Sequence, residues 1–190
     1  ELHLSNITKH ALGESLKRLL LKKPLTKITI NDLTTDCGIS RMTFYYHFKD
    51  IYDLVEWACL EESTRALQGK KTYNTWQEGL LQIFEAVYEN KAFIMNAYNS
   101  LSREQIENFL FRLTHDLIMG VVEERSVETS ITEAQKNFIA DFYKYSFVGI
   151  MLDWIRQGMK SDYTSICTDM CTTLHGNISN SIKNFTNSTE

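Results

Sequence analysis

One proline, Pro24, and eight glycines are spread over 190 residues, so few positions force a turn. No strict apolar–polar alternation runs long enough to support a sheet, and "KITI" at residues 27–30 comes nearest. The chain reads as all-α. Long apolar runs are also missing: "FVGIMLDWI" is broken by Asp153 and stops at Arg156, far short of the ~20 residues a spanning helix needs. No membrane partner is expected. The first ten residues, "ELHLSNITKH", lack the basic start and apolar block of a signal peptide, and a cytoplasmic location follows. The four cysteines form no C-x-x-C pair, which fits buried thiols in a reducing compartment. G-x-G-x-x-G, the phosphate loop and H-E-x-x-H are absent, so neither an enzyme nor a cofactor is expected. Cys167, Cys171 and His175, at i, i+4 and i+8, have a spacing that can offer zinc ligands. They share a stripe with Met170 and Leu174, where cysteine is more often packing, and no metal site is expected.

What is present is the composition of a folding chain, 43% hydrophobic and 23% charged. The net charge of −4 hides an asymmetry. Residues 1–49 hold eight basic residues (Lys9, Lys17, Arg18, Lys22, Lys23, Lys27, Arg41, Lys49) against four acids, leaving −8 for the remainder. A local positive surface attracts phosphate whatever the total, so nucleic acid stays open as a partner of this first quarter.

Helical periodicity begins at Ile7, with Ala11, Leu12, Leu16, Leu19 and Leu20 on one stripe. Pro24 closes that helix. Thr29 can cap a short second helix carrying Ile30, Leu33 and Cys37 inward, with Asp32 favourable in its first turn. Gly38 stands where the backbone needs positive φ, and Ser40 can cap a third helix from Arg41. Asp50 then caps a longer one through "IYDLVEWACLEESTRAL". Further helices are expected near 76–90, 92–99, 103–125, 133–159 and 163–185, giving about nine in two domains, 1–68 and 69–190.

The helix at 133–159 has two apolar faces: Phe138, Phe142, Tyr145, Gly149 and Leu152 on one, Ile139, Tyr143, Phe147, Ile150 and Trp154 on the other. Two apolar faces need two partners. With the stripe Ile166, Met170, Leu174, Ile178 and Ile182 of the last helix, the first face is expected to pair with a second copy as a four-helix interface.

Helix, tight turn and helix is the geometry that lays a second helix in the major groove of DNA. Arg41 and Met42 lead that helix, where side chains meet base edges. Arg41 can bond guanine bidentately, worth ~1–3 kcal/mol of discrimination, and Met42 can touch a thymine methyl. Tyr45, Tyr46, His47 and Lys49 suit phosphate contacts. Phe44 and Phe48, four apart, are expected in the core, and Lys22, Lys23 and Lys27 on a solvated face.

The stretch "TKITINDLTTDCGISRMTFYYHFKDIYDLV" resembles the DNA-binding domain of TetR-type bacterial transcriptional regulators. The likeness covers about residues 7–60 and rests on Thr29, Ile30, Leu33, Gly38, Ile39, Ser40, Thr43, Tyr45, His47, Phe48 and Lys49. Thr34 and Cys37 replace a common Ala, and Met42 a frequent Gly. The resemblance implies an all-α homodimer, with an N-terminal helix-turn-helix bundle and a C-terminal dimerisation and ligand-sensing domain. It implies a palindromic double-stranded DNA operator contacted by Thr29, Ser40, Arg41, Met42, Thr43, Tyr45, Tyr46, His47 and Lys49. The segment "YKYSFVGIMLDWIRQGMK" is similar to regulators related to activators of dihydroxyacetone kinase operons, where a protein partner controls the second domain. Control by a small-molecule effector is the expected route, with Trp76, Phe84, Tyr88, Phe93, Tyr98, Phe109 and His115 as candidates to line its cavity, or else plain core; an activator controlled by a protein co-regulator is the alternative.

Overall fold

The computed structural model describes residues 2–66 and 75–187, which form helices joined by turns and short loops. The helices are α1 (Leu2–Leu20), α2 (Ile30–Cys37), α3 (Arg41–His47), α4 (Ile51–Ala66), α5 (Trp76–Glu89), α6 (Lys91–Ser100), α7 (Arg103–Arg125), α8 (Glu133–Arg156), α9 (Tyr163–Leu174) and α10 (Asn177–Asn187). A 3-10 turn, Leu25–Lys27, follows Pro24. No strand occurs among the described residues. In "KITI" only Ile28 and Thr29 are extended, because Thr29 is already the cap of α2.

Two compact units form. The first joins Glu1–Glu62 with Asn90–Ile106, and the second joins Ser63–Glu89 with Glu107–Glu190. The expected cut at 68/69 falls outside the described residues. α6, which that cut assigns to the second domain, packs with the first unit: Phe93 and Ala97 enter a core of Leu12, Leu16, Leu33, Phe44, Phe48 and Leu54. Asn96 Nδ2 also donates to the Leu20 carbonyl, at 3.4 Å, near the end of α1. On α1 itself the buried positions are Leu12, Leu16 and Leu20, whereas Ile7 and Ala11 of the expected stripe face solvent.

In the second unit α5 packs on α9 and α10 on α8. The inner face of α8 is Ile139, Tyr143, Phe147 and Trp154, extended by Val148, Met151 and Ile155. Ile150, expected on that face, is exposed and looks into a groove of about 330 Å³ with Gly149, Asp153 and Ile166. The last expected helix divides in two. Gly176 has φ 74, a left-handed conformation that glycine adopts without Cβ strain, so the chain turns between α9 and α10. Met170 is thereby buried from α9, and Ile178 and Ile182 from α10.

Candidate DNA-binding surface

The turn between α2 and α3 is built from local hydrogen bonds. Asp32 N donates to Thr29 Oγ1 at 3.1 Å, and Thr29 N donates to Asp32 Oδ2 at 2.8 Å, a reciprocal capping box. Lys23 Nζ reaches the same carboxylate at 2.7 Å. That lysine bond, helped by Thr29, holds the Asp32 carboxyl down at about 2. A lowered carboxylate stabilises the fold above the usual acid range, and the contribution is lost only as pH falls toward 2. At the other end of α2, Gly38 has φ 66, and Gly38 N and Ile39 N donate to the Thr35 and Thr34 carbonyls at 3.2 and 2.9 Å. This is the paired bonding of a Schellman end.

A Cβ on Gly38 would meet nothing within 4 Å, so backbone strain alone decides the effect of Gly38→Ala. The expected loss is about 1–2 kcal/mol. A urea titration of the full chain, followed by helical signal, checks it; an unchanged midpoint means that the turn tolerates another conformation.

Ser40 starts α3 by accepting from Thr43 N at 3.0 Å, and its hydroxyl also pairs with Thr43 Oγ1 at 2.9 Å. Thr43 and Ser40 are thus occupied in shaping the turn. Within α3 the two faces separate as their spacing requires. Phe44 and Phe48 are buried with ring centroids 6.0 Å apart, and Phe48 meets Trp57 of α4 at 5.7 Å. Outward lie Arg41 together with Met42 and Tyr46, each 82% exposed, and Tyr45 at 51%. A methionine and a tyrosine so exposed on a short helix contribute little to its folding, so they are available to a partner. Beyond α3, Asp53 N donates to Asp50 Oδ1 and Lys49 N to Asp53 Oδ2, both at 2.9 Å, which fixes the start of α4 and leaves the Lys49 ammonium exposed.

Charge sorts itself within this unit. Lys17 pairs with Glu14 and Glu62, Arg18 with Asp36 at 2.6 Å, and Lys23 with Asp32. Arg41, Lys49, Lys22, Lys27 and Lys9 form no ion pair among the described residues. The cations at both ends of α3 are among the unneutralised ones, which is what a phosphate-facing surface requires.

Two residues of this surface escape sequence reasoning. Lys9 of α1 lies 6.0 Å from the Phe48 ring centroid, and Ser5 Oγ is 3.5 Å from His47 Nδ1. Burial, and then the Lys9 charge, push the His47 imidazole below its ordinary value. No helical periodicity relates residues 5 and 9 to residue 47.

The expected effector residues divide between the two units. Phe93 and Tyr98 belong to the first unit and the other five to the second. The Phe84 ring lies tilted at 5.2 Å from Trp154 and Trp76 tilted at 6.2 Å from Phe147, while Tyr88 stacks at 6.2 Å on Trp154. Trp76 and Phe84 are buried as core, and Tyr88 is exposed. His115 pairs with Asp141 at 3.2 Å, and Phe109 is half-buried on α7. A groove of about 640 Å³ does open in this unit, between α5 and α9, lined by Gln77, Glu78, Thr164, Cys167, Thr168, Cys171 and His175 among others. Burial pushes the Cys167 thiol up to about 12. Among the described residues no three His, Cys, Asp or Glu side chains gather as metal ligands, and no helix is long and apolar enough to cross a membrane.

Of the residues expected to pair two copies, Phe138, Phe142 and Tyr145 stand 62, 59 and 59% exposed on α8. Gly149 is exposed beside them, and Leu152, Ile166 and Leu174 are half-buried. Met170 and Ile178 are different. The protomer's own packing buries both, Met170 on α9 and Ile178 on α10.

Known proteins share these features. The profile of a TetR C-terminal family, described as "Transcriptional regulator C-terminal region", matches residues 74–176. The "HTH-type dhaKLM operon transcriptional activator DhaS" of Lactococcus lactis subsp. lactis (strain IL1403) is 22% identical over 156 residues, spanning 81% of this chain and 82% of that one. A solved structure, "Dihydroxyacetone kinase operon activator DhaS", superposes with a TM-score of 0.71 at 20% identity, over 90% of this chain and 96% of its own. That last likeness establishes the fold. With the profile spanning more than half of the residues, the chain belongs to the TetR family of transcriptional regulators.

Proposed function

We propose that the protein is a homodimeric, sequence-specific DNA-binding regulator that reads a near-palindromic operator in the cytoplasm through α3. The observation that carries this reading is the two-sided α3. Its aromatic plugs are buried, while Arg41, Met42, Tyr45 and Tyr46 project exposed from the other side. Two copies would place their α3 helices about one DNA turn apart, ~34–36 Å, to enter successive major grooves. Arg41 and Met42 then face bases, and Tyr45, Tyr46, His47 and Lys49 hold phosphates.

Selection from a library of random duplexes tests the proposal. A palindromic consensus is expected, and recovery of none counts against it. Arg41→Ala is expected to relax preference at one base position of each half-site, by about 1–3 kcal/mol. Lys49→Ala should weaken all sequences alike and reduce the salt slope by about 1. Binding curves at several salt concentrations separate the two.

Control is expected to act through the second unit, by a small molecule or by a protein. Burial of two candidate aromatics supports the protein: Trp76 and Phe84 pack in the core against Phe147 and Trp154. Tyr88 is 45% exposed, and the groove between α5 and α9 is the place a small molecule would take. The similarity to an operon activator, DhaS, supports activation as the sign of regulation. If metabolites shift DNA affinity in the absence of any second protein, the small-molecule route stands instead.

A further inference from the structure

We propose that α1 supplies a second grip on the DNA backbone, Lys9 and His47 holding one phosphate together while Ser5 sets which imidazole nitrogen carries the proton. The inference rests on the DNA-binding reading of α3 and assigns a role to a helix outside the helix-turn-helix. Lys9 lies half-buried on α1, its ammonium 6.0 Å from the Phe48 ring centroid. That places the charge beside the last turn of α3, where a long stem can lie along apolar surface and keep its head in water. Two neighbours on the same helix, Lys17 and Arg18, are neutralised by carboxylates. Lys9 has no such partner among the described residues.

His47 supplies the complementary half. Ser5 Oγ sits 3.5 Å from Nδ1, and a hydroxyl donating to Nδ1 leaves the proton on Nε2. Nε2–H is then the free donor, and the edge-on ring of Tyr46 at 5.0 Å flanks the imidazole. The ring supplies a directional N–H donor while Lys9 carries the charge. A phosphate diester needs both kinds of contact, and neither reads a base. The grip therefore adds affinity and register without adding sequence preference.

The test uses the full chain and a duplex recovered by selection with the unaltered protein. Lys9→Gln is expected to weaken binding about five- to tenfold at moderate salt and to lower the salt slope by about 1, equally on selected and scrambled duplexes. Lys9→Arg should keep the slope, since it keeps the charge. Ser5→Ala should weaken binding about two- to fivefold, an effect that vanishes in a His47→Gln background because it acts through that imidazole. Thermal midpoints accompany each variant. Two results overturn the proposal: a wild-type slope in Lys9→Gln, or matched losses of binding and thermal midpoint in both Lys9→Gln and Lys9→Arg. Recovery of no preferred duplex by the unaltered protein overturns the DNA-binding reading and this grip with it. A selected duplex bound with an unchanged slope by Lys9→Gln overturns the grip alone.

Discussion

Phe44→Ala is expected to unfold the first unit at moderate urea and to abolish DNA binding with it. The ring is fully buried between α2, α4 and α1 residues, in the same cluster as Leu12, Leu16, Leu33 and Leu54. Removing a buried phenyl costs about 3–5 kcal/mol, through lost transfer energy and the cavity left behind. Stabilities of whole domains are about 5–15 kcal/mol, so this one change removes a large part of the margin of a small unit. Phe44→Leu keeps most of the volume and should cost far less. Urea titrations of both variants check the pair. Equal midpoints would mean that Phe44 is not the plug its burial indicates, and the outward pointing of Tyr45 and Tyr46 would need another cause.

Phe142→Asp is expected to act in the opposite place and the opposite way, leaving each protomer folded while separating two copies. Phe142 stands on the outer side of α8 with Phe138 and Tyr145, all mostly exposed, and Gly149 continues the line. The steps from 138 through 142, 145 and 149 alternate four and three, the spacing of a seam that packs against another helix. A carboxylate buried in such a seam without a partner costs several kcal/mol. Because two tethered half-site contacts bind about 10²–10⁴-fold more tightly than one, operator affinity should fall by a similar factor. Sedimentation at micromolar protein reads the assembly state, and a gel-shift titration reads the affinity. A variant that remains dimeric moves the pairing surface elsewhere on the second unit.

Local chemistry made much of the first unit legible in the sequence. Thr29, Gly38 and Ser40 each act within four residues of themselves, through a cap, a left-handed turn and a cap, so the sequence alone contains their partners. Phe44 and Phe48 separate from Tyr45 and Tyr46 because 100° per residue forces it. What depends on tertiary packing was hidden. Periodicity gives α6 an apolar stripe but does not say that Phe93 and Ala97 fill the first unit's core. It marks Trp76 and Phe84 as apolar but not as core or cavity wall, a distinction set by the rings across from them on α8. Gly176 lay inside a continuous spacing of four, and only the observed φ of 74 shows that the stripe is two helices. Nothing in the sequence relates Lys9 or Ser5 to residue 47. Their relation to His47 exists only once α1 has packed against the turn.

The two-segment build of the first unit bears on how such regulators can be recombined. Its core draws on residues 90–106 as well as on 1–62, so a fragment ending near residue 68 would leave Phe93 and Ala97 behind and open a gap where α6 packs on α1 and the Leu25–Lys27 turn. Grafting this reading head onto a different sensor therefore means transplanting α6 along with it, cutting the chain at three points rather than one. A relative's α6 exchanged without its head would carry the wrong side chains into that core, so head and α6 are expected to change together as sequences in this family diverge.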